Sequence, residues 1–293
     1  MNKIRGHIKK IYFVAVLAIS SPIFAAHSLQ ESIQLLKNKE TRSQAFKEIE
    51  ERGPAVVPHL KKILHDPQEN EETWIAAHLA LGKSGDTSVH LVLEECLLKD
   101  EGALERESSA IALGHLGDKQ SVIHLKKATH DSSGNVRMRA IWALAKLGDK
   151  TGKQQAVEAI ASPDVTEQVL AIEALEAIGD KSVIPQLKEK YNHPNPFTQI
   201  NAKLAVTRLE SKELKGQARL NYMTKTLKRP EYELQRWATE ELAKMAFPEE
   251  REENPKIVEL LKKVAKDEKH PGAHAAWKEL QILAAEGKLK ELQ

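Results

Sequence analysis

The sequence predicts an all-α protein: an α-solenoid of stacked helical hairpins about 31 residues long. Three observations lead there. A Gly-Asp pair recurs at 85–86, 117–118, 148–149 and 179–180, in steps of 32, 31 and 31 residues. Ahead of each pair, small and large apolar residues alternate with helical spacing. Aromatic residues make up only 4% of the chain, and strand-like Val/Ile/Thr alternation is nearly absent, a composition suited to stacked helices.

Taking the glycine as origin, position −8 holds Ala45, Ala77, Ser109, Ala140, Ala171 and, in a degenerate copy, Ala202. Position −5 holds Ala80, Ala112, Ala143 and Ala174, and position −4 holds Ile49, Leu81, Leu113, Leu144 and Leu175. Offsets of 3, 4 and 7 put these residues on one stripe of a first helix, where the small ones let a neighbouring helix approach. Gly53, Gly85, Gly117, Gly148 and Gly179 then end that helix, because a left-handed C-terminal residue costs glycine little. Asp, Ser or Thr just after can cap the next helix by accepting a backbone N–H. Second helices follow at 56–64, 89–98, 121–129, 153–161 and 182–190, each apolar on one side only. The recurring dipeptide is a helix-to-helix corner, and the period is one hairpin. A single hairpin buries too little to fold alone, whereas a stack shares one core.

The pattern decays after about residue 200. A sixth copy, 200–214, has Glu210 near the expected glycine, and a seventh, 234–250, arrives late. A closing half-repeat is expected at 272–293. The expected organisation is therefore a leader at 1–25, regular repeats at 26–211, and degenerate repeats with a cap at 212–293.

The leader has the form of a secretory signal. Lys3, Arg5, Lys9 and Lys10 precede the apolar run 11–19, and Pro22, Ala25 and Ala26 follow. Nine apolar residues fall short of the roughly 20 that span a bilayer, so cleavage after Ala25 is expected, with a periplasmic or secreted product. Retention of the segment would instead tether the chain to a membrane. The whole chain has 44 basic and 42 acidic side chains; the leader holds four of the basic ones and no acidic one, leaving 40 against 42. A near-neutral mature chain gives no electrostatic reason to expect nucleic acid. The lone Cys96 can form no internal disulfide and reads as a buried structural thiol.

At residues 136–150, VRMRAIWALAKLGDK, and 168–187, QVLAIEALEAIGDKSVIPQL, the chain resembles HEAT-like repeats of the short type first named in phycobilisome lyase subunits. That resemblance implies a right-handed solenoid whose second helices line a concave surface. Similar repeats occur in bilin lyases, in a metal-dependent protein hydroxylase and in scaffolds without chemistry. The hydroxylase holds iron through His-Glu pairs, and this sequence has no His-Glu dipeptide. Two His-Asp pairs, His65-Asp66 and His130-Asp131, read as helix-end residues.

No G-x-S-x-G, Walker-type or H-E-x-x-H motif is present. The expected function is therefore a scaffold binding another protein or an extended peptide, with no catalytic residue, metal site or cofactor assigned. The alternative is an enzyme or enzyme subunit resembling bilin lyases, acting on a protein-bound prosthetic group. The residues expected on the concave, partner-binding face lie on second helices: His59, Lys62, His90, Glu94, His124, Lys127, Glu158 and Lys188. Trp142, two positions from the small stripe, is expected to fill space between helices toward the convex side.

Overall fold

The computed structural model describes residues 27–64, 66, 68–100, 102–246, 254–285 and 289; the leader and His65 lie outside them. All regular elements among these residues are helical. The small-residue stripes and corner glycines divide the chain into first helices, α2 (Arg42–Arg52), α4 (Glu71–Lys83), α6 (Ala103–Leu116), α8 (Gly134–Lys146), α10 (Val165–Ile178) and α12 (Pro196–Ser211). Second helices alternate with them: α3 (Val57–Leu64), α5 (His90–Lys99), α7 (Val122–Ala128), α9 (Lys153–Ala159) and α11 (Ile184–Glu189). Ahead of the array stands α1 (Leu29–Leu36), begun by a capping box between Ser28 and Glu31. After it come α13 (Gly216–Thr226), α14 (Tyr232–Ala246), α15 (Pro255–Lys266) and the closing α16 (Ala273–Ala285). The helix α13 lies between the sixth and seventh copies and accounts for the late arrival of the seventh. No described helix is long and apolar enough to cross a membrane.

All five corner glycines have φ between 60° and 88°. At Gly117 and Gly179 the residue sits in the left-handed region and donates its N–H to the carbonyl four residues back, Leu113 and Leu175. The aspartate that follows caps the next turn: Asp86, Asp118, Asp149 and Asp180 accept from the backbone N–H of Ser88, Gln120, Thr151 and Ser182 at 2.9–3.0 Å. A second role was not legible in the sequence. Asp149 and Asp180 each receive a lysine from the preceding second helix, Lys126 at 2.8 Å and Lys153 at 2.6 Å. His90 stands 3.4 Å from Asp118 in the same relation. Asp149 and Asp180 each cap their own repeat and fasten it to the one before.

The two layers stack differently. The small stripe is fully buried from Ala45 through Ala77, Ala112, Ala143 and Ala174 to Ala202. A Cβ added at Gly82 would lie 2.4 Å from the Ala112 carbonyl oxygen and 2.6 Å from its Cα, so α4 and α6 touch through their backbones. The first helices α4, α6, α8, α10 and α12 pack on one another along their lengths, while successive second helices meet over far less of theirs. A stack curves toward its more closely spaced layer. The first helices form the more tightly packed layer of this stack.

The core comes in three runs: Ile33 to Leu144, Met138 to Leu209, and Met223 to Leu289. Trp142 packs against both of the first two.

The corner aspartates predict a specific acid sensitivity. Hydrogen bonds from the Lys126 and Thr151 side chains hold the Asp149 carboxyl down to about 2. A depressed carboxylate contributes stability that is fully present above its unfolded value of about 3.9 and disappears as pH falls through its folded value. Urea-unfolding midpoints measured between pH 5 and 2 should drop for the wild-type chain over the lower part of that range. In Asp149→Asn, which keeps an acceptor for the Thr151 N–H, this drop should be shallower.

Candidate functional site

The exposed face of the first-helix layer carries a groove. Its walls come from side chains six and two residues before the corner glycine: Leu79 with Lys83, Ile111 with His115, and Trp142 with Lys146. Each pair spans one helical turn beside the buried stripe. One pocket of about 260 Å³ is lined by Phe46 of α2, Leu79 and Lys83 of α4, Ile111 and His115 of α6, Arg139 and Trp142 of α8, and Glu173 of α10. A second, of about 400 Å³, continues along the same layer over Lys146, Glu176, Arg208, Lys212, Arg219 and Trp237 as far as α14. Trp142 and Lys146 join them, with the ammonium 5.8 Å from the ring centroid.

Ion pairs tie the groove floor across helices. Arg139 reaches Glu107 of α6 at 3.2 Å and Glu173 of α10 at 2.6 Å. Arg208 Nη1 donates to both oxygens of Glu176 at 3.1 Å, and its guanidinium lies 5.9 Å from the Trp237 ring. Half-exposed pairs of this kind add little stability; their effect is to fix where the charges stand. Burial pushes the Glu176 carboxyl above its ordinary range, against the pull of Arg208. His115 meets Trp142 edge-on with centroids 5.4 Å apart. Burial, then the charges of Lys83 and Lys146, lower its pKa and keep the imidazole neutral near pH 7. The groove thus offers aromatic and aliphatic anchors between fixed charges, which is the chemistry of recognition.

The eight residues expected to form one surface do not gather into one. His59, Lys62 and Lys127 are exposed on the second-helix side. His90 is half-buried, with Nδ1 2.7 Å from the Thr87 carbonyl oxygen. Glu94 is only 5% exposed and faces inward to His124, whose Nδ1 is 3.1 Å away. Exposed Glu158 accepts from Gln154 at 2.9 Å, and Lys188 pairs with Glu210 at 2.9 Å. Asp131 caps at Ser133 and takes a two-pronged bond from Arg106 at 2.8 and 2.9 Å, while its neighbour His130 is exposed. Trp142 does fill space between helices, and its ring also lines the groove. Sequence reasoning missed Phe46, Leu79, Ile111, His115 and Arg208. For all but Phe46, the available signal was the −6 and −2 register, one step around the helix from the stripe already identified.

The model of the HEAT repeats family matches residues 29–114 and 92–167. Residues 29–167 of this chain are therefore HEAT repeats. Among solved structures, the repeat protein is similar to a chain in the complex of CpcE and CpcF of phycocyanin lyase from Nostoc sp. PCC7120. Identity is 21% over 78% of this chain and 94% of that one, with a TM-score of 0.48. It is similar to YibA of Escherichia coli, at 17% identity over 86% and 92% with a TM-score of 0.45. An archaeal HEAT-like repeats protein from Thermococcus onnurineus NA1 is 16% identical over 88% and 98%, with a TM-score of 0.33. No curated protein sequence matches the chain. The activities of these neighbours stay their own.

The groove electrostatics can be read directly. In a proton NMR titration, the His115 imidazole should titrate below the ordinary value of about 6.5. Lys146→Gln, which removes one of the two flanking charges, should raise it.

Proposed function

We infer that this HEAT-like repeat protein is an exported scaffold that holds a segment of another protein in the groove across its first helices. The observation that carries this reading is that two pockets lie side by side on the more closely packed layer of the stack, the Lys146 ammonium of one against the Trp142 ring of the other. Solenoids present such inner surfaces to extended ligands. The pocket walls hold six basic side chains, Lys83, Arg139, Lys146, Arg208, Lys212 and Arg219, against three acidic ones, Glu173, Glu176 and Glu241. That balance fits a segment with apolar anchors spaced by acidic side chains. Trp and Arg, the residue types most often dominant at interfaces, both line it. Export rests on the basic, apolar and small-residue order of residues 1–25.

Photo-crosslinking in cells tests the surface. A crosslinking amino acid placed at Ile111, in the groove, should capture a partner, and one placed at Ile123, 62% exposed on the other layer, should not. With the captured partner purified, Ile111→Asp should weaken binding at least tenfold, about 1.4 kcal/mol, and Ile123→Asp should leave it unchanged. Capture from Ile123 alone, or equal affinity for both variants, would overturn the groove reading.

A further inference from the structure

Inside the second hairpin lies a group that neither the groove nor the repeat pattern uses. His78 of α4 is 3% exposed. Its Nδ1 lies 2.9 Å from the Trp74 carbonyl oxygen. A carbonyl can only accept, so Nδ1 carries the proton and the lone pair sits on Nε2. That buried nitrogen has no hydrogen-bond partner. Cys96 and Asp100 stand beside this imidazole, and one ring nitrogen, the Cys96 Sγ and an Asp100 carboxylate oxygen all lie within 4.8 Å of one another. Among the described residues, no other group of three His, Cys, Asp or Glu side chains is so arranged.

The backbone accounts for the convergence. Cys96 lies in the last turn of α5 and Asp100 is its C-cap, four residues on, so both fall on one face of the helix end. His78 comes from the opposite member of the hairpin. A partnerless imidazole nitrogen in the interior is costly to leave unmet. The hydrogen bond at its other nitrogen is the arrangement that orients a metal-bound histidine.

We propose that His78, Cys96 and Asp100 form a binding site for one divalent transition-metal ion of the zinc class, with water in the fourth position. Nitrogen, sulfur and oxygen donors from three side chains suit Zn²⁺, which is commonly held by three protein ligands and a water in open sites. Bond lengths of about 2.0–2.3 Å require the donors to draw together by roughly 1 Å, within reach of side-chain rotation. Binding transfers one proton from the Cys96 thiol to solvent, and Nε2 and the carboxylate bind as they stand. Burial, then the neighbouring Asp100 charge, push that thiol up to about 12, so without an ion it stays protonated and a cation at the site would reverse the balance. Three other charges stand nearby. Glu95 adds negative potential at Cys96, and Glu105 adds it at His78 and Asp100. Arg106, which donates to the Asp100 carbonyl oxygen at 3.0 Å and is paired with Asp131, pulls the Asp100 carboxyl the other way. A bound ion would tie α4 to the end of α5.

The test uses the full chain freed of metal by a chelator. Zinc added in competition with a chromophoric chelator should bind at one equivalent, and melting should shift upward with free zinc. Cobalt in its place should give a thiolate-to-cobalt charge-transfer band. Cys96→Ser should abolish the band and weaken zinc binding at least tenfold, and His78→Gln should weaken it comparably, with circular dichroism checking that both variants fold. The wild-type cobalt spectrum decides alone if a variant does not fold. No stoichiometric binding, or binding that lacks the thiolate band and survives Cys96→Ser on exposed histidines such as His59, would overturn the site.

Discussion

Everything else in this molecule depends on how closely the first helices stack. Alanine at −8 and −5, with glycine inside α4 and α6, removes the side-chain bulk that normally keeps helices apart. Between Gly82 and Ala112 no Cβ fits, because the obstacle is backbone and cannot swing away. At Gly114 the nearest obstacles are the Trp142 ring and Ala143, so the same device is used once more with an aromatic side chain wedged at its edge. Glycine within a helix costs roughly 1 kcal/mol relative to alanine; here close contact between neighbouring backbones offsets that cost.

Close stacking on one side has a geometric consequence. Second helices pack on one another less than first helices do, a difference that favours bending toward the first helices and draws the side chains on their exposed faces together. Charges that would be scattered on a flat surface become cross-helix pairs, such as Arg139 between Glu107 and Glu173, and Arg208 on Glu176. On the other layer the helices stand apart, and the corner aspartates with their lysine partners provide part of the connection. The two faces thus differ in kind: one is a groove with anchors and fixed charge, the other a row of separated ridges.

Much of the fold was legible from sequence because its devices are local. A glycine that must adopt positive φ, an aspartate two residues before a free N–H, and a stripe with offsets of 3, 4 and 7 can all be read in one window. The inner face was not legible in the same way. It depends on which layer packs more tightly, a relation between residues about 31 apart whose clue was Gly82 and Gly114 in the last turns of their helices. Glu94 shows the same limit: polar by type and placed on a second helix, it is buried because His124 of the next repeat lies over it. The convergence of Cys96 and Asp100 follows from their spacing of four, but His78 joins them only across the hairpin.

Distances between spin labels measure the curvature directly. In a Cys96→Ala background, one pair would sit on the first helices at Leu79 and Glu173, the other on the second-helix side at Leu91 and Pro185, each spanning three repeats. Curvature toward the first helices predicts a shorter distance between 79 and 173 than between 91 and 185. Equal distances, or the reverse order, would contradict it and remove the groove from the inner face.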